Sequence, residues 1–267
     1  MQPNRHSNLS LALQDLKSGV CSIYIWPMLG WQEIRQRYRR SMLGPFWLTI
    51  STGILVGAMG PLYGRLFGQD ISAYFPYLAI SFVTWLLIST TVNELCLAFI
   101  AAEGFIKQIK LPLTIHVLRV VWKNLIVFAH NLVIVALALL FFPPPLSINL
   151  LLFPIALFFV VINAVWLGIL LGLMCARFRD IPQIVGSLMQ VALFLTPVMW
   201  KAEMLGRNIY AAKINPIFHF LEIVRQPLLG GSVPALSWIV VIAITCCGYI
   251  VSIAVFARFR ARIAYWV

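Results

Sequence analysis

Six uninterrupted apolar runs, at residues 46–67, 74–100, 120–142, 148–175, 184–200 and 235–257, constrain this 267-residue chain more than any other feature. Crossing about 30 Å of hydrocarbon takes ~20 helical residues, and each run is close to or beyond that length. The runs are continuously apolar. A barrel strand would alternate between lipid and lumen, so the spans are expected to be helices. Composition agrees, since 61% of residues are hydrophobic and 10% charged, against roughly 25% charged in a soluble domain. That leaves little room for a water-soluble enzyme, and the expected class is an all-α integral membrane protein.

The 20 Lys and Arg against eight Asp and Glu give a formal charge of +12. Nucleic acid would be one explanation, and the excess of basic residues in cytoplasmic loops of membrane proteins the other. Position decides. With six spans, fifteen basic residues fall on the side of the two termini and five on the opposite side, four of these in one long loop. Six spans with both termini in the cytoplasm account for the charge without nucleic acid. The first 20 residues carry Arg5, Asp15 and Lys17 and lack the apolar core of a secretory signal. Five cysteines without paired ligand spacing read as packing residues. No metal site is expected.

The chain reads as one membrane domain. It comprises an N-terminal arm (1–45), six spans (46–257), an external segment (201–234) and a tail (258–267). In the arm, residues 31–42 have helical periodicity, with Trp31, Ile34, Tyr38 and Met42 on one stripe flanked by Arg35, Arg37 and Arg39, and Arg40 nearly opposite. This predicts an amphipathic interfacial helix. Two roles stay open: a basic anchor on anionic lipid, or guanidiniums that gather a phosphorylated substrate. Leu43-Gly44-Pro45 ends the helix. The charged segment 103–112 is either a solvated connection or a short helix serving as a handle for a soluble motor. Segment 201–234 is too long and apolar for a plain loop and suits one or two short helices dipping back toward the membrane.

Gly53 and Gly57, Gly60 and Gly64, and Gly168 and Gly172 each have the spacing that lets helices approach closely. Among the polar residues within the spans, Glu94 is costly unless it faces protein or water or is protonated. His130 and Asn131 suit helix contacts. Aromatics including Tyr63, Tyr74, Tyr77, Trp200 and Phe218 crowd the external side, either as an interfacial belt or as faces for sugar rings along a pathway. The chain has no Gly-Lys dipeptide and hence no phosphate-cradling loop of the Walker kind. Energy from ATP would have to come from a partner.

The run Arg37-Tyr38-Arg39-Arg40-Ser41-Met42-Leu43-Gly44-Pro45-Phe46-Trp47 resembles the approach to the first span in ABC-2 type permeases of polysaccharide exporters, which include O-antigen and teichoic acid exporters. Further similarities are Arg177-Phe178-Arg179-Asp180-Ile181, Thr196-Pro197-Val198-Met199-Trp200, Asn215-Pro216 and Arg258-Phe259-Arg260. The resemblance covers the chain from about residue 24. It implies a homodimer in the bacterial inner membrane with two copies of a cytoplasmic ATPase, which would hold the ATP and Mg; no cofactor is expected in this chain. The implied cargo is a glycan on a polyprenyl diphosphate lipid. By the same resemblance, Arg35, Arg37, Tyr38, Arg39 and Arg40 lie near the lipid diphosphate, and Glu103, Phe105, Lys107 and Lys110 belong to the segment docking the ATPase. Residues 201–234 correspond to re-entrant helices at the exit. Two alternatives stand beside this reading. One is an ABC-2 exporter of a drug or small lipid. The other is an intramembrane lipid- or glycan-modifying enzyme using Glu94 or His130 as a general base.

Overall fold

Where no water reaches the backbone, helices satisfy its polar groups internally, and among the described residues every regular element is helical. The computed structural model describes residues 5–37, 39, 44, 46–145, 147–232 and 235–267. Two short helices, α1 (Arg5–Cys21) and α2 (Ile25–Arg37), precede α3 (Phe46–Leu66) and α4 (Ile71–Cys96). The six-residue α5 (Glu103–Gln108) leads to α6 (Thr114–Phe141), α7 (Leu152–Arg177) and α8 (Ile181–Leu195). Then come α9 (Ile209–Ile214), α10 (Pro216–Leu228), α11 (Ala235–Phe259) and the terminal turn α12 (Ile263–Trp266).

Five helices are long and apolar enough to cross a membrane: α3, α4, α6, α7 with the turn before it, and α11 continuing into α12. The fifth expected span, 184–200, is different. Its helix α8 starts at Ile181 and stops at Leu195 after 15 residues, about 22 Å at 1.5 Å per residue, short of the hydrocarbon thickness. Pro197 is the reason. The residue before a proline is driven out of the helical region, and Thr196 is extended at φ −95°, ψ 137°.

Alternating chain direction sets both termini at one end of the bundle, the terminal end, and the α3–α4 turn, the α6–α7 loop and the α8–α11 connection at the other, the distal end. The distal turn into α4 is fixed by Gly68 at φ 60° and by Asp70, whose carboxylate accepts from Ser72 N and Oγ. Those bonds hold its carboxyl below the ordinary value. α4 is the central element, with 67% of its most apolar window buried against 17–33% in the other spans.

Glycines set the close approaches. A Cβ on Gly168 would lie 2.6 Å from Leu95 and one on Gly172 2.8 Å from Phe99, so α7 fits against α4 only without side chains there. Gly60 is closed by Phe75 and Gly64 touches Tyr74. The pair Gly53 and Gly57 departs from expectation. Gly57 faces open space and Gly53 meets Ile134 only at 3.8 Å, so this pair makes no tight crossing within the chain.

Segment 201–234 does turn back on the bundle. Asn215 caps α10 by accepting from Ile217 N at 2.9 Å, and α10 then buries Phe218, Leu221, Ile223 and Val224. Ile223 and Val224 share a core cluster with Ile80, Val83 and Leu87 of α4.

Candidate functional site

At the terminal end, α2 lies on α6. Trp26 meets Trp122 edge-on at 5.6 Å, and a Cβ on Gly30 would stand 2.9 Å from the Arg119 carbonyl oxygen. Gly30 and Ile34 are buried while Trp31 stays half exposed. The arm is thus a helix with one face docked on protein and the opposite face, with Met28, Trp31 and Arg35, turned outward.

Along this contact runs an ion network. Arg119 Nη1 and Lys123 Nζ of α6 reach the two carboxylate oxygens of Glu33 at 3.1 and 2.9 Å. Lys123 also reaches Glu94 of α4 at 3.0 Å, Asn124 Nδ2 donates to Glu94 at 2.7 Å, and Arg37 Nη2 lies 3.2 Å from it. Burying Lys123 at 8% exposure and Arg119 at 5% is tolerable because each charge has a counter-charge. Glu94 therefore faces protein, joining α2, α4 and α6. His130 bonds to the Ile126 carbonyl of its own helix at 2.7 Å.

This network divides the arm's cations. Arg37 is committed to Glu94, while Arg35 and Arg39 are exposed. Tyr38 and Arg40 lie outside the described residues.

The segment expected to act as a handle forms α5. Glu103 and Lys107 pair at 2.6 Å across one helical turn, which holds the Glu103 carboxyl below its ordinary value. Phe105 and Ile109 are exposed at 42% and 50%, and Lys110 is exposed beside them. Behind α5, Lys107 Nζ donates to the Val267 carbonyl at 2.8 Å, and Arg177 stacks over Trp266 at 5.5 Å. Asp15 of α1, 4% exposed, accepts from Leu113 N, Thr114 N and Arg260 Nε at 3.1, 3.0 and 2.9 Å. It thereby satisfies backbone donors that open α6. Sequence reading assigned no role to Asp15, which is 98 residues from Leu113 in the chain.

At the distal end, the non-helical segment after α8 needs partners for its backbone, and side chains supply them. Tyr77 OH donates to the Pro197 and Trp200 carbonyls at 3.1 and 2.8 Å, and Tyr74 OH to the Met199 carbonyl. Asn215 Nδ2 donates to Thr196 Oγ1 at 2.8 Å. Arg225, 2% exposed, donates to the Pro197 carbonyl and to Ser81 Oγ, each at 2.9 Å. It also pairs with Glu222, and its guanidinium lies 4.2 Å from the Tyr77 ring centroid.

Of the external aromatics, Tyr74, Tyr77 and Phe218 are buried within the chain at 0–6% exposure and pack the distal end. Tyr63 stacks on Phe67 at 5.6 Å, and Trp200 Nε1 is tied to the Phe194 carbonyl at 3.1 Å; both keep partial exposure.

Two features had a sequence signal that went unread. Gln183, Ser187 and Gln190 of α8 are all exposed, and their i, i+4, i+7 spacing places them on one stripe within an otherwise apolar helix. Gly248 of α11 receives the Trp166 ring in direct contact. Between α4, α7, α8 and α10 lies a cavity of about 330 Å³, walled by Leu87, Thr91, Ala164, Leu167, Met189 and Phe220 among others.

Residues 26–229 match the profile of the ABC-2 type transporter family. The chain is also similar to the O-antigen export system permease protein RfbA of Myxococcus xanthus, at 22% identity over 169 residues. That alignment covers 63% of this chain and 65% of the relative.

Proposed function

Because the chain belongs to the ABC-2 type transporter family, we propose that it is the transmembrane subunit of an ATP-driven exporter of a polyprenyl-diphosphate-linked, O-antigen-like polysaccharide, moved outward across the bacterial inner membrane. The observation that carries the cargo is the similarity to an O-antigen export permease. The exposed Arg35 and Arg39 at the terminal end support it, since guanidinium forks match phosphate oxygens. The basic bias of that end supports a cytoplasmic location for it and for both termini.

Two copies of this chain would form the passage. The exposed Gln183, Ser187 and Gln190 stripe supports this, because polar side chains are disfavoured against lipid and suit a water-filled space or a facing helix. On the cytoplasmic side, a separate ATPase present in two copies would bind ATP and Mg and grip α5. There Phe105, Ile109 and Lys110 are presented outward while Lys107 braces the helix from behind.

The test is reconstitution of the purified chain with a candidate ABC ATPase from the same organism, in vesicles supplied with lipid-linked glycan. ATP-dependent translocation that falls sharply in Arg35→Ala/Arg39→Ala supports the reading. Failure of the two proteins to associate, or transport of small hydrophobic molecules with no movement of glycan, overturns it.

A further inference from the structure

Three guanidiniums gather on two touching rings where α7 and α11 end. Arg177 closes α7, and Arg258 lies in the last turn of α11. Beyond it the Phe259 and Trp266 rings meet at 5.8 Å. Arg258 and Arg262 stand 5.5 and 5.8 Å from the Phe259 ring centroid, and Arg177 stands 5.5 Å from that of Trp266. All three arginines are exposed, and among the described residues none of them pairs with a carboxylate. Like charges held four residues apart repel, and here two of them face one ring. The platform carries surplus positive charge that an anion would neutralise.

We propose that this cluster binds the phosphodiester of an anionic glycerophospholipid, whose chains lie along the outer face of α11. The adjoining surface decides the class of partner. Cys247, Val251 and Ala254 are exposed, and their i, i+4, i+7 spacing puts them on one stripe that Arg258, at i+11, completes. Met174, 48% exposed, precedes Arg177 by one turn. An acidic protein would meet the guanidiniums and leave this apolar stripe uncovered, whereas a phospholipid covers both. Charge is costly in hydrocarbon, so phosphates meet the protein where the stripe gives way to arginine. Guanidinium forks match phosphate oxygens, and the rings beneath hold them in place. A zwitterionic headgroup brings a cation that unpaired guanidiniums repel, so the site favours a lipid of net negative charge. Arg35 and Arg39 of the arm belong to α2, which lies on α6, and the proposal stands independently of what the protein exports.

Two probes test it, phosphatidylglycerol and phosphatidylcholine with the same chains, each bearing a photoactivatable diazirine in one chain. They are added at trace level to phosphatidylcholine vesicles containing the purified full-length protein, and labelling is mapped by peptide mass spectrometry. On Met174, Val251 and Ala254 the phosphatidylglycerol probe should label at least about fivefold more than its partner, the factor that one surface guanidinium supplies. At Ile239, exposed at the distal end of the same helix, the two probes should label alike. In Arg258→Gln/Arg262→Gln the preference should disappear. Equal labelling by both probes at Val251 overturns the proposal, as does an equal preference at Ile239 or one that survives the double variant. Displacement of the probe by inorganic phosphate assigns the site to a free anion. Stronger displacement by polyprenyl diphosphate than by unlabelled phosphatidylglycerol assigns it to a carrier lipid, and loss of labelling when a candidate ABC ATPase binds assigns it to that protein; each of these also overturns the proposal. The comparison of probes uses the unmodified protein and so does not depend on any variant folding.

Discussion

Replacing Arg225 by Ala removes the charge that Glu222 was buried against, together with the donors to Ser81 Oγ and the Pro197 carbonyl. Breaking a buried pair from one side costs ~3–5 kcal/mol, because the remaining charge has no compensation. The Pro197 carbonyl keeps a share of the single Tyr77 hydroxyl proton, which it divides with the Trp200 carbonyl at 3.1 and 2.8 Å, so the loss of the charge partner dominates. At roughly 2–4 °C per kcal/mol for a chain of this size, heat unfolding in detergent, followed by the helical circular dichroism signal, should fall by on the order of 10 °C. Glu222→Gln with Arg225→Met removes both charges while keeping volume, and should recover most of the drop, since a buried pair exchanged for neutral groups of similar size is often near neutral. A single variant within about 2 °C of the unmodified protein, or a double variant less stable than the single, refutes the reasoning.

Three further outcomes follow from the packing. Gly248→Ala drives a methyl into the Trp166 ring and should destabilise by ~1–3 kcal/mol, read in the same melting assay. Gly30→Leu meets the Arg119 backbone carbonyl, which has no side-chain freedom to give; α2 should lift from α6, and spin labels on the two helices should report a longer and broader distance. Lys107→Ala should move the Glu103 carboxyl upward toward its ordinary value, followed by its infrared carboxylate band. The sign matters here: a lowered carboxyl pKa stabilises above the ordinary value and is lost as pH falls through the lowered one, so the brace on α5 should be unaffected by pH near neutrality and loosen only under acid.

Much of this architecture is legible in the sequence because lipid imposes a single rule: a long apolar run must be helical. The runs that became α3, α4, α6, α7 and α11 needed nothing further. The extent of α8 is not legible from hydropathy, because the apolar run continues through Trp200 while the backbone leaves the helix before Pro197. That 201–234 forms short helices was legible from its apolar length. The burial of Arg225 was not: counted as a loop charge, it sits against Tyr77 and Ser81, 148 and 144 positions earlier in the chain. Asp15 likewise gains its partners only through tertiary contact with α6 and Arg260. Glu94 was visible as an anomaly, and its three counter-groups were not, because Arg37, Lys123 and Asn124 come from two other helices.

Those polar groups are few, and their placement follows from cost. A chain that spends most of its length in hydrocarbon keeps a buried charge only where several partners converge, and here, besides Asp15, they converge on both ends of α4. Near its terminal end Glu94 gathers α2 and α6; near its distal end Tyr74, Tyr77 and Ser81 hold the segment after α8 and the buried face of α10. Both clusters belong to one continuous helix of 26 residues, the most buried of the spans and closed against α7 by Gly168 and Gly172. Among the described residues the two clusters share no partner: Glu94 holds Arg37, Lys123 and Asn124, and Arg225 holds Glu222, Ser81 and Pro197. A substitution at Glu94 and one at Arg225 should therefore add in the melting assay to within ~0.5 kcal/mol, and a larger departure refutes the view that each cluster stabilises its own end of α4 independently.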